Sequence, residues 1–129
     1  MVFSILVAED EEITLENIIE TLREEGYEVS GTRNGEDAMK KMEKEQFDVL
    51  VTDIKMPGKN GIELLSIAKE KYPETDVIII TGFGSIGSAV DAMRKGAHDY
   101  ITKPFDLDDL SIRVRKLYER KMIKKENLA

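Results

Sequence analysis

The chain of 129 residues contains no cysteine, which excludes a disulfide framework and any thiolate metal site. Its one histidine, His98, has no second metal ligand or triad partner near it. It reads as a surface residue and not as a phosphotransfer group. No apolar run approaches membrane-spanning length. The start, Met1 to Ala8, runs into Glu9 and Asp10 without a basic n-region or cleavage site, so no signal peptide is expected. A cytoplasmic protein without a membrane partner is the plain reading.

What remains is one soluble domain. Apolar residues make up 41% and charged residues 35% of the chain, and the length suits one well-buried core but not two ordinary domains. The net charge of −7 is uneven. Residues 1–64 carry 7 basic and 16 acidic groups, residues 65–129 carry 12 and 10. The acidic half argues against nucleic-acid binding by the body of the domain and is compatible with a cation site.

Five apolar β-type runs recur, each followed by a helical pattern: Phe3–Ala8, Glu28–Thr32, Val49–Thr52, Val77–Thr81 and Tyr100–Thr102. The helices are read from apolar spacing. Leu15, Ile18, Ile19 and Leu22 define the first, ending at Gly26. Ala38, Met39 and Met42 define the second, after Asn34-Gly35, and Leu64, Leu65 and Ala68 the third, ending before Tyr72-Pro73. Ile86, Ala89, Val90 and Met93 define the fourth, and Leu107, Leu110, Val114 and Leu117 the last. Strict βα alternation with short connections implies right-handed crossovers and a parallel sheet covered on both faces. The fold class expected is a single doubly wound, flavodoxin-like (βα)5 domain. Its five strands suit the order 2-1-3-4-5, which alternation alone does not fix, and there the first and third strands flank the switch point where ligands bind.

Polar residues gather at the strand ends. The stretch VLVTDIKMPG delivers Asp53 to the end of the buried third strand, before the turn chemistry of Pro57-Gly58. The first strand ends in Glu9-Asp10, the fourth in Thr81, and the fifth in Lys103 before Pro104. If the first and third strands are adjacent, three carboxylates come together. Two carboxylates about 4 Å apart repel by ~4 kcal/mol at an effective dielectric near 20, so such a cluster protonates or binds a cation. Oxygen-only ligands favour Mg²⁺, or Mn²⁺, over zinc. A carboxylate beside a divalent cation can attack phosphorus, with an ammonium offsetting charge on the phosphoryl oxygens. Glu11 and Glu12 read only as an acidic helix start.

With Glu9, Asp10, Asp53, Thr81, Lys103 and Pro104 in place, the chain resembles a receiver domain of a two-component response regulator, from about Ile5 to Leu117. The resemblance implies that Asp53 is the phosphoacceptor, taking a phosphoryl group from a sensor histidine kinase. It implies Mg²⁺ held by Asp10, Asp53 and the backbone carbonyl of Lys55, with Glu9 helping through water. Thr81 and Lys103 would bond the phosphoryl oxygens, Tyr100 would be the switch aromatic that turns inward with Thr81, and the Lys103–Pro104 bond would be cis. The family usually has Asp where this chain has Glu9. The segment TGFGSIGSAVDAMRKGAHDYITKPF is most similar to receivers of NtrC-like transcription activators, which carry an ATPase and a DNA-binding domain absent from this sequence. DNA would then be reached only through such an output domain, and the domain itself would dimerise on phosphorylation through its fourth helix, fifth strand and fifth helix. Residues 1–121 are expected to form the receiver, with 122–129 a linker or helix extension, and the tail favours excision from a longer regulator.

Other readings are weaker. Gly82 to Gly87 matches the dinucleotide fingerprint G-x-G-x-x-G, but the next strand ends in Lys103, the wrong charge to hold a ribose. A phosphatase of the haloacid-dehalogenase type would need a second Asp at position 55, where Lys55 stands. A flavodoxin-like flavin module would place its phosphate against Glu9 to Glu12. A degenerate receiver serving as a docking module is a further alternative. The run Arg113–Lys125, with seven basic residues and one acid, lacks aromatic interleaving and reads as a solvated last helix. A short coiled coil through Met122, Ile123 or Leu128 is the other option for it. The expectation is a self-phosphorylating and self-dephosphorylating switch, not a metabolic enzyme.

Overall fold

A computed structural model describes residues 2–82 and 86–128. The elements follow in strict alternation: β1 (Ser4–Ala8), α1 (Glu12–Glu24), β2 (Glu28–Thr32), α2 (Gly35–Lys44), β3 (Val49–Asp53), α3 (Gly61–Lys71), β4 (Asp76–Thr81), α4 (Ile86–Arg94), β5 (Asp99–Thr102) and α5 (Leu107–Leu128). The five strands form one parallel sheet, as the sequence pattern predicts, in the order β2-β1-β3-β4-β5 that the family resemblance implies. Among the described residues no helix is long and apolar enough to cross a membrane.

The apolar runs alternate between two cores, because successive side chains on a strand point to opposite faces. Ile5 and Val7, Val49 and Val51, and Ile78 and Ile80 meet Leu15, Ile18 and Leu22 of α1 and Leu110, Val114 and Leu117 of α5. Leu6, Leu50, Val77 and Ile79 meet Ala38 and Met42 of α2, Leu64, Leu65 and Ala68 of α3, and Ala92 of α4. Polar caps start two of the helices on the second face. Asn34 Oδ1 accepts from the Asp37 N–H, and Asn60 with Glu63 forms a reciprocal capping box.

Two expectations need correction. Val90 and Met93 of α4 are 46% and 40% exposed, and the residues that α4 buries are Ala89 and Ala92. The apolar spacing fits two faces of this helix, and the small side chains are the ones that allow close approach to the sheet; the Ile86 side chain lies outside the described residues. The basic run of α5 is also not simply solvated. Lys121 Nζ donates to the carbonyls of Asp48 and Glu74 at 3.0 and 2.8 Å. Arg113 pairs with Asp99 at 2.6 Å and with Asp109 at 3.2 Å. Residues 83–85 of the G-x-G-x-x-G match, and the side chain of Leu128, lie outside the described residues.

Candidate functional site

The carboxyl ends of β1, β3, β4 and β5 converge at the switch point between β1 and β3. Because Ala8 pairs with Thr52, the residues just past them, Glu9 and Asp53, meet above the sheet. Glu9 is fully buried, Asp53 is 6% exposed, and Asp10 points to solvent. Carboxylate oxygens of all three lie within 4.8 Å of one another.

Local geometry fixes Asp53. The Ile54 N–H donates to the Ile80 carbonyl at 3.1 Å and the Gly61 N–H to the Ile54 carbonyl at 2.9 Å, so the start of α3 folds back against the strand end. A Cβ at position 61 would overlap the Asp53 carbonyl oxygen and sit 2.9 Å from its carbon, so only glycine permits this approach. The side chain is held at both oxygens, by the Lys55 N–H on Oδ1 (3.2 Å) and by Lys103 Nζ on Oδ2 (2.7 Å).

Lys103 also lies 2.7 Å from Glu9 Oε1. That contact is an ion pair without the angle of a directed hydrogen bond, since Oε1 has no hydrogen-bond partner among the described residues, while Oε2 accepts from the Glu11 N–H at 2.9 Å. Burial pushes the Glu9 carboxyl above its usual range, and Lys103 and the Glu11 N–H offset only part of this. For Lys103, burial would lower the ammonium, but the bonds and charges of Asp53 and Glu9 outweigh it and raise it. Lys103 therefore stays charged, a single ammonium among three carboxylates.

Thr81 is fully buried, and its Oγ1 has no hydrogen-bond partner among the described residues. Tyr100 is 40% exposed, and its carbonyl accepts from Arg113 at 3.3 Å. The Lys103–Pro104 bond is cis. The Lys55 side chain and His98 are exposed. An open cleft of about 540 Å³ beside Lys103 is lined by Glu11, Thr14, Asn17, Gly82, Pro104 and Phe105, with Leu107 at its edge.

The structure thus brings together Glu9, Asp10, Asp53 and Lys103, and it leaves Tyr100 at the surface. The donor set is oxygen-only, clustered and short of positive charge, which fits a hard divalent cation such as Mg²⁺. Sequence reasoning missed Arg33, whose guanidinium donates to the Asp10 carbonyl at 3.1 and 3.4 Å; an isolated basic residue after a strand carries no motif that would single it out.

Comparison with known proteins agrees with this geometry. The family model described as "Response regulator receiver domain" matches residues 5–115. A putative NtrX-like response regulator of Rickettsia felis is 36% identical over 126 residues, covering 96% of this chain and 26% of that protein. The DNA-binding transcriptional regulator NtrC of Proteus hauseri is 39% identical over 101 residues, covering 78% and 21%. The solved receiver domain of a response regulator from Clostridium thermocellum superposes with a TM-score of 0.87 at 35% identity, covering 95% of this chain and 98% of that one. The chain spans about a quarter of the length of these two curated relatives.

Proposed function

The chain belongs to the response regulator receiver family, NtrC-like in its relatives, and from that premise we propose that Asp53 is its phosphoacceptor. The observation that carries the reading is the position of Asp53, buried at a strand end with Lys103 2.7 Å from one of its oxygens and two further carboxylates beside it. In the reaction, an Asp53 oxygen forms a bond to phosphorus as the bond from phosphorus to the imidazole nitrogen of a sensor kinase histidine breaks. The imidazole leaves and an acyl phosphate remains.

Glu9, Asp10, Asp53 and the Lys55 carbonyl would hold Mg²⁺, which when bound offsets charge on the transferring phosphoryl oxygens. Lys103 keeps its ion pair with Glu9 and transfers its other bond from Asp53 to the new phosphoryl. The phosphoryl brings about −1.5 to −2 charge. Thr81, whose hydroxyl has no partner among the described residues, then donates to it, and the space that Thr81 leaves admits Tyr100. This shifts a pre-existing equilibrium and remodels the face of α4, β5 and α5, through which two copies associate or an output domain is controlled. The open cleft beside Lys103 gives a phosphodonor an approach.

The domain acts as a switch that catalyses only its own phosphorylation and dephosphorylation. A phosphatase with Asp53 as nucleophile finds no general acid at position 55, where the side chain is an exposed lysine. Intact mass after incubation with acetyl phosphate tests the reading. It requires a gain of one phosphoryl group that depends on Mg²⁺ and is removed by hydroxylamine. Size exclusion with beryllofluoride as phosphoryl mimic tests dimerisation, which the reading expects to increase. No gain of mass in any condition would leave a docking module.

A further inference from the structure

The corner joining β2 to α2 takes no part in this chemistry, yet it touches the loops that follow both β1 and β3. On the β1 side, the Glu9 N–H donates to the Thr32 carbonyl at 3.0 Å. Arg33 donates from Nη2 and Nε to the Asp10 carbonyl at 3.1 and 3.4 Å, and its Nη1 lies 4.0 Å from Glu12 Oε2. On the β3 side, Gly35 meets the loop that carries Lys55. A Cβ at position 35 would overlap the Lys59 carbonyl oxygen and lie 2.6 Å from its carbon. Backbone leaves no room to yield, so the loop passes over α2 only because residue 35 has no side chain.

A guanidinium bonded to the backbone of Asp10 is electrostatically unfavourable for a divalent cation held by the Asp10 carboxylate. Its hydrogen bonds supply the reason for it to be there. We propose that Arg33 is a positioning residue, which together with the close approach at Gly35 sets the separation of Asp10 from Asp53 for the cation. Arg33 fixes the backbone of one ligand, and the Gly35 contact fixes the loop whose Lys55 N–H orients the other (3.2 Å). The inference rests on the reading that this cluster holds Mg²⁺.

Two roles for Arg33 predict opposite signs. If it were a bystander charge, neutralising it would tighten cation binding. As a positioning group, neutralising it loosens binding, because groups that orient metal ligands cost about 10–100-fold in affinity when removed. The test is Mn²⁺ binding to the 129-residue chain, read as free Mn²⁺ by electron paramagnetic resonance, with Mg²⁺ in competition and thermal melts to establish folding. Arg33→Gln is expected to bind about tenfold more weakly, and Arg33→Lys, which keeps the charge but loses the fork, to fall between it and the native protein. Gly35→Ala is expected to weaken binding further; if it does not fold, the Arg33 variants decide alone. Unchanged or tighter binding by folded Arg33→Gln overturns the inference while the Mg²⁺ reading stands. Absence of Mn²⁺ binding by the native chain overturns both.

Discussion

The two ends of the sheet are built from the same kinds of residue and treat them in opposite ways. At the amino end the charges are paired. Lys121 caps two carbonyls and lies 3.4 Å from Asp48 and 4.0 Å from Asp76, with its ammonium 6.0 Å from the Phe3 ring centroid. Phe3 packs against Tyr27 and Tyr118 at ring separations of 5.3 and 5.2 Å. Nearby, Glu25 accepts from Ser111 and Arg115. At the carboxyl end, three carboxylates share one ammonium. The two buried side-chain oxygens without a hydrogen-bond partner among the described residues, Glu9 Oε1 and Thr81 Oγ1, both lie there. Among the described residues, the buried side-chain polar atoms without a hydrogen bond are thus confined to the end where a ligand is to arrive, one of them, Glu9 Oε1, held only by its ion pair with Lys103.

If this contrast is right, a large cut at the amino end should cost stability and spare the chemistry. Phe3→Ala, at a site 3% exposed, is expected to lose about 3–5 kcal/mol in urea unfolding, while the folded protein at low temperature still takes a phosphoryl from acetyl phosphate. The reverse holds at the carboxyl end. Mg²⁺ at a hundredfold excess over its dissociation constant should stabilise the native protein by about 2.7 kcal/mol. Asp10→Asn should abolish that gain without lowering the melting temperature of the metal-free protein, because Asp10 has no cation of its own among the described ion pairs.

A matched pair of threonines gives a smaller effect with opposite signs. Thr75 Oγ1 donates to the Phe47 carbonyl at 2.7 Å, so Thr75→Val should destabilise by about 1 kcal/mol. Thr81→Val removes a buried hydroxyl that has no partner among the described residues and should stabilise by about 1 kcal/mol, while abolishing the dimerisation brought on by beryllofluoride. The smallest contrast is in pH dependence. The Glu25 carboxyl is held low by Ser111 and Arg115, so its contribution is present above the ordinary carboxylate value and fades as pH falls through the lowered one. The Glu9 carboxyl is raised by burial, so in metal-free protein its cost appears as pH rises above the ordinary value through the raised one. Unfolding curves from pH 3 to 8 should flatten at the acid end in Glu25→Gln, and lose the decline with rising pH in Glu9→Gln.

Much of this was legible in the residues. Alternation of apolar runs specifies the sheet because burial on both faces leaves unbroken runs such as Val49–Val51 and Val77–Ile80. Glu9, Asp10, Asp53, Thr81 and Lys103 were legible as a group because each sits directly after such a run, and strand ends lie side by side. The α4 face was misread in part because an apolar period does not say which side faces the sheet: Ala89 of the expected stripe is buried, but its buried neighbour is Ala92 and not Val90 or Met93. Lys121 and Arg33 escaped because their partners are backbone carbonyls 73 and 23 residues away, and a carbonyl leaves no mark in a sequence.

The most direct measurement is chemical location of the phosphoryl. The protein is incubated with acetyl phosphate and Mg²⁺, reduced with borohydride, which converts an aspartyl phosphate to homoserine, and mapped by peptide mass spectrometry. Homoserine at position 53, absent without Mg²⁺ and absent from Asp53→Asn, is the predicted result. Homoserine at Asp10 or elsewhere, or none at all in a folded protein that binds Mg²⁺, would contradict the assignment of Asp53 as the phosphoacceptor.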